Sequence, residues 1–82
     1  MNQRDRTRLE ALVWKNKHTD FKGKRADGTK CVLHLYPERG TCSVPLASLT
    51  DAELLAKLPT HVRDLFEAGV EWRRLIALAG QP

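Results

Sequence analysis

Between residues 29 and 49 the side chains alternate in a way that few folds accommodate. The stretch reads T-K-C-V-L-H-L-Y, then P-E-R-G, then T-C-S-V-P-L-A-S-L. Cys31, Leu33 and Leu35 alternate with Val32, His34 and Tyr36 on the first arm. Cys42, Val44 and Leu46 alternate with Thr41, Ser43 and Pro45 on the second. A period of two on both sides of a short turn predicts a β-hairpin. If residues 37–40 form a four-residue loop, Tyr36 pairs with Thr41. Leu35 then faces Cys42, Leu33 faces Val44 and Cys31 faces Leu46. This register gathers six apolar side chains on one face, and a slip of one residue scatters them.

A third strand precedes the hairpin, at residues 19–24, joined through Arg25-Ala26-Asp27-Gly28. Asp-Gly is a strong turn signal. A two-residue turn would pair Ala26 with Thr29 and put Phe21 on the wrong face. A three-residue Ala26-Asp27-Gly28 loop with Gly28 left-handed pairs Arg25 with Thr29 and sets Phe21 opposite Leu33. The second choice buries Phe21 and is preferred. The expected sheet is a three-stranded antiparallel meander with Phe21, Cys31, Leu33, Leu35, Cys42, Val44 and Leu46 on its core face.

Such a sheet needs helices to cover its apolar side. A helix is expected over residues 5–14, with Leu9, Leu12 and Val13 at i, i+3, i+4. Thr7 and Glu10 fit a capping box, and Asn2 is a rival cap one turn earlier. Trp14 either closes the apolar stripe or opens the next segment. A second helix starts at Thr50, where Thr50 and Glu53 form a capping box and Leu49 and Leu54 a hydrophobic staple. Pro59 ends it near Lys57 or Leu58. A third runs over residues 60–79, its stripe Val62, Leu65, Phe66, Gly69, Trp72, Ile76 and Ala79. Leu75 and Leu78 fall off that stripe, so this helix is either buried on more than one side or broken at Gly69. The expected fold class is α+β, a single domain of residues 1–82 in the order α-β-β-β-α-α, with the meander covered on one face.

Eighty-two residues hold one core of modest size. The longest apolar run, residues 75–79, is far shorter than the roughly 20 residues of a membrane-spanning helix. The first residues mix Asp5 among arginines with no apolar run behind them, so no signal peptide is expected and the chain reads as cytoplasmic. In the hairpin register Cys31 and Cys42 lie four residues apart along the ladder, roughly 13 Å at the strand rise. That is beyond disulfide reach, so both are read as reduced, buried thiols.

Charge is uneven along the chain. Residues 1–30 carry nine Lys/Arg against four Asp/Glu, whereas residues 51–82 carry four against five. The basic excess therefore belongs to the first third, a pattern shared by anion-binding surfaces and by plain solvated faces. The expected solvent face of the sheet displays Asp20, Lys22, Lys24, Val32, His34, Tyr36, Thr41 and Ser43, flanked by Lys15, Lys17, His18 and Arg25. Lysines beside a tyrosine and a histidine are the ingredients of a surface that tracks a DNA or RNA backbone and stacks a base. The candidate nucleic-acid-binding residues are thus Lys15, Lys17, Lys22, Lys24, Arg25, His34 and Tyr36. The alternative is a protein-interaction module or homodimer using Trp72, Leu75 and Leu78.

Metal and catalytic chemistry find little support. Cys31-x-x-His34 has ligand-like spacing, but an odd separation on a strand sends the two side chains to opposite faces. No C-x-x-C, H-x-x-x-H, P-loop, dinucleotide fingerprint or G-x-S-x-G occurs. Neither metal nor cofactor nor enzymatic activity is expected. Residues 62–78 approach helix-turn-helix spacing around Gly69, yet Leu65 stands where a small residue lets the helices approach, and the second helix would open on Glu71 and Trp72. A cover helix explains that segment better.

One resemblance spans residues 14–58. Trp14-Lys15-Asn16, His18, Asp20-Phe21-Lys22-Gly23, Asp27-Gly28-Thr29, Gly40-Thr41, Val44-Pro45-Leu46 and Leu49-Thr50-Asp51-Ala52-Glu53-Leu54 together resemble small uncharacterised proteins of bacterial plasmids and integrative elements. The resemblance implies a bacterial, mobile-element setting and carries no functional residue with it.

Overall fold

The computed structural model describes residues 1–17, 19 and 21–81; the expectations that fall on His18 and Asp20 lie outside these. The chain forms helix α1 (Gln3–Lys15), strands β1 (Lys22–Lys24), β2 (Lys30–Tyr36) and β3 (Gly40–Pro45), and a 3-10 turn (Leu46–Ser48). Helices α2 (Asp51–Ala56), α3 (Thr60–Glu67) and α4 (Trp72–Ala79) follow. The sheet is an antiparallel meander of order β1-β2-β3. The α+β class and the order of elements are those expected, with the long C-terminal helix divided in two.

Gly69 makes that division. Its φ of +77° is left-handed, and it ends α3 as a glycine cap does. Breaking there lets both halves face the core: Val62 comes from α3, and Leu75 and Ala79 from α4. Leu75, off the stripe of a continuous helix, is 2 % exposed. At α2 both bonds of the capping box are present. Thr50 Oγ1 accepts the Glu53 N–H (3.1 Å) and Glu53 Oε1 accepts the Thr50 N–H (2.8 Å). At α1 the cap is Asn2, whose side chain accepts the Asp5 N–H at 2.8 Å, rather than Thr7. Starting a turn earlier adds helix without moving Leu9, Leu12 and Val13, which are fully buried.

The first β-turn is the three-residue loop expected. Arg25 N–H donates to Thr29 C=O (2.9 Å), Gly28 has φ +88°, and Lys22 pairs with Val32. The main hairpin is not as expected. Its loop has three residues, Pro37, Glu38 and Arg39, closed by Arg39 N–H to Tyr36 C=O (3.2 Å), and Gly40 (φ +75°) pairs with Tyr36. The ladder is therefore shifted by one: Leu35 pairs with Thr41, His34 with Cys42, Leu33 with Ser43 and Val32 with Val44. A left-handed glycine at the end of the loop absorbs the missing residue as a bulge.

The slip exchanges the faces of β1 and β2, while β3 keeps Cys42 and Val44 on the helical side as expected. Val32, fully buried, and Val44 face the helices and join a core of Leu9, Leu12, Val13, Leu46, Leu49, Leu54, Leu58, Val62, Leu75 and Ala79. Phe21 and Leu35, expected inside, lie on the open face at 65 % and 68 % exposure, with Leu33 half-buried between them. Cys31 and Cys42 fall on opposite faces, so the expectation of two thiols buried on one side does not hold; both are free, and only Cys31 is fully buried.

Arg6 ties the layers together. From α1 it donates to Glu10 (2.9 Å) and Asp51 (2.7 Å) and to the Leu46 and Leu49 carbonyls around the 3-10 turn. Burial opposes its charge but is outweighed by the bonds to Asp51 and Glu10, which raise its pKa further. Among the described residues no helix is long and apolar enough to cross a membrane.

Candidate nucleic-acid interface

Of the seven residues expected to bind nucleic acid, Lys24 and Arg25 lie at the Lys30 end of β2, Lys22 stands opposite Val32, and His34 and Tyr36 lie toward the other end. Lys15 and Lys17 follow the end of α1, where the Lys17 N–H donates to Ala79 C=O of α4 (3.0 Å). Lys30 and Tyr36 are six residues apart, about 20 Å at the strand rise.

At the Lys30 end the sheet meets the last turn of α1. Lys22 faces the helix, and its Nζ donates to the carbonyls of Trp14 (2.7 Å) and Asn16 (2.9 Å). These are carbonyls with no partner inside the helix, and the negative end of the helix dipole favours an ammonium there. Lys22 is thus a helix cap rather than a free surface cation. Thr19 adds to the same cap, its hydroxyl donating to Val13 C=O at 2.8 Å. Lys30 Nζ lies 5.5 Å from the centre of the Trp14 ring, a cation–π arrangement. Directly across the ladder from Lys30 stands Lys24. Lys15, Lys17, Lys24, Arg25 and Lys30 are exposed, and among the described residues none has a carboxylate within salt-bridge distance. Asp27, the acid in the turn, is held below the usual carboxylate range by hydrogen bonds from the Thr29 hydroxyl and amide.

At the other end His34 and Tyr36 face the helical layer rather than solvent, which corrects their expected place on an open face. His34 Nε2 is 3.0 Å from Glu53 of α2, and its ring meets Tyr36 edge-on at 4.8 Å. The Arg39 guanidinium lies 4.2 Å from the Tyr36 ring centre. Hydrogen bonds from the Thr50 amide and hydroxyl, and then the nearby His34, hold the Glu53 carboxyl below its ordinary range. The aromatic pair therefore lies far from the free lysines.

Lys30 and Trp14 belong to the basic group and are absent from the sequence-based site. The signal for them was available, since Lys30, Val32 and His34 share a face by alternation. The alternative partner surface is largely internal. Leu75 is in the core, Leu78 packs against it, and Trp72 is half-buried with the Arg8 guanidinium 5.5 Å from its ring centre. Among the described residues no three potential ligands gather as a metal would require. Fold and site together define a two-layer α+β module with a basic two-stranded ribbon. No family model, curated protein or solved structure matches the chain.

Proposed function

We propose that this protein is a non-catalytic binding module that holds nucleic acid by its phosphate backbone, on the β1–β2 ribbon and the end of α1. The observation that carries this reading is the set of five exposed cations, Lys15, Lys17, Lys24, Arg25 and Lys30, without carboxylate partners among the described residues. Two lysines directly opposite one another on a ladder cost stability, and a polyanion relieves that repulsion. Trp14 beside Lys30 offers an aromatic edge next to the phosphate track. Two free thiols suit a cytoplasmic setting, and the resemblance to proteins of plasmids and integrative elements would put DNA or RNA within reach.

The test is fluorescence anisotropy with single- and double-stranded DNA and RNA at several salt concentrations. Five phosphate contacts give a slope of log affinity on log salt of about −3.5 to −4.5. Lys24→Glu with Lys30→Glu should weaken binding at least tenfold while the protein stays folded with a cooperative melt, since two glutamates opposite one another repel much as the two lysines do. No binding at low salt, or binding indifferent to the double reversal, refutes the proposal.

A further inference from the structure

The open end of β2 lies beside a groove. Leu33 N–H donates to Phe21 C=O (3.3 Å), so odd-numbered residues of β2 direct their backbone groups toward β1. Leu35 follows this rule, and its ladder partner by the β1 register would be Thr19. Thr19 has left the ladder to cap α1, its N–H on Asn16 C=O (3.2 Å) and its hydroxyl on Val13 C=O. The N–H and C=O of Leu35 therefore face a strand position that no described residue fills. A cleft of about 810 Å³ occupies it, walled by Leu33 and Leu35 on the sheet side and by Ala52, Ala56 and Lys57 of α2 and its cap.

We propose that this groove takes an extended polypeptide segment of a partner protein as an added strand. The segment carries apolar side chains at alternate positions and a carboxylate that meets Lys57. An extended polypeptide offers N–H and C=O at the spacing Leu35 requires, and its alternating side chains suit the two walls of the groove. The residue opposite Leu35 sets its side chain on the open face among Leu35, Leu33 and Phe21, two of which are more than half exposed. Its neighbours point toward Ala52 and Ala56, one turn apart on α2, where two small side chains leave room for larger ones. Charge specifies the rest. Both oxygens of Glu53 are engaged, one by the Thr50 N–H (2.8 Å) and one by His34 Nε2 (3.0 Å), whereas Lys57 reaches only the Leu33 carbonyl (3.0 Å) and has no carboxylate within salt-bridge distance among the described residues. A second copy is a poorer occupant of the same face. Three strands over six residues present about 300 Å² per partner, against about 800 Å² in a standard interface.

The experiment is selection of a phage-displayed random heptapeptide library on the full-length protein and, in parallel, on Ala56→Trp. Ala56 is exposed on α2, so a tryptophan there fills the groove and spares the core; an unchanged melting curve confirms it. The expected result is enrichment of sequences with alternating apolar residues and an acidic residue, lost at least tenfold on Ala56→Trp. A synthetic peptide from the selection should slow exchange of the Leu35 amide tenfold or more, and Lys57→Glu should weaken it. Lys24→Glu with Lys30→Glu should leave it unaffected. Absence of enrichment, equal enrichment on Ala56→Trp, or a concentration-dependent dimer abolished by that substitution would each overturn the proposal.

Discussion

Lys22 separates a structural lysine from a binding one, and its substitution is the sharpest test of how the sheet meets α1. Lys22→Met keeps the apolar stem and removes the ammonium from two carbonyls at 2.7 and 2.9 Å. A hydrogen bond involving a charged group contributes about 1.5–3 kcal/mol, and a partly buried cation at a helix C-terminus up to about 2 kcal/mol. These overlap, and water reaches part of this half-buried site, so the expected net loss is about 2 kcal/mol. At about 2.1 cal/mol/K of unfolding entropy per residue, 82 residues give roughly 170 cal/mol/K. The melting temperature should then fall by about 12 °C. Circular dichroism melts with urea titrations measure both, and the folded fraction should bind nucleic acid with unchanged affinity. A loss below about 0.5 kcal/mol, near the scatter of ordinary surface substitutions, with affinity reduced as far as by Lys24→Glu, would refute the cap and return Lys22 to the surface.

The other predictions probe the layer contacts and the register. Arg6→Ala leaves Asp51, Glu10 and the carbonyls of Leu46 and Leu49 without their shared donor. Asp51 is itself 43 % exposed, so the cost should sit at the low end for a broken buried pair, about 3 kcal/mol, seen as a fall in the urea midpoint. Leu35→Thr should change stability by no more than about 0.5 kcal/mol, because the side chain is 68 % exposed. Had Leu35 faced Cys42 in the core, calorimetry would show a loss of about 2 kcal/mol or more. The folded pKa of Glu53 lies below its ordinary 4.5. Its contribution is therefore present above about pH 4.5 and lost as pH falls through the folded value. Melting temperatures from pH 6 to 3 should fall less steeply for Glu53→Gln, which keeps an acceptor for the Thr50 amide without the charge; equal slopes would contradict this.

Local chemistry was legible where the residues themselves determine it. Thr50 and Glu53 announced the capping box and Asp27-Gly28 a bulged turn, and both formed, whereas Gly69 left a break and burial on several sides as equal readings, of which the break is the one observed. The Asp27-Gly28 turn nevertheless came out right through a premise that fails. That premise is the burial of Phe21, yet Phe21 is exposed, with its ring lying over Gly23. The register of the main hairpin failed for the same reason. Both faces of β2 carry apolar residues, Cys31, Leu33 and Leu35 on one and Val32 and Tyr36 on the other, so counting them favours the longer list. The helical layer decides otherwise, because on its side of the sheet it buries Val32 and Val44 and gives Lys22 and His34 polar partners.

The same slip redraws the candidate sites. Sheet alternation had placed Lys22, Lys24, His34 and Tyr36 on one outward surface. In the observed register they still share a face, but that face looks toward the helices. What then separates them is how far each lies from the helical cover. Lys22 and His34 stand under its margins and find protein partners. Lys24 stands two pairs further along the ladder, opposite Lys30, exposed and without an acid within salt-bridge distance among the described residues. The open face, expected to be basic, is apolar instead, with Phe21, Leu33 and Leu35 beside the strand position from which Thr19 departs. Capping α1 and opening the β2 edge are thus two results of one departure of the chain at Thr19. A substitution that returned Thr19 to the ladder would close the groove and weaken the helix end together.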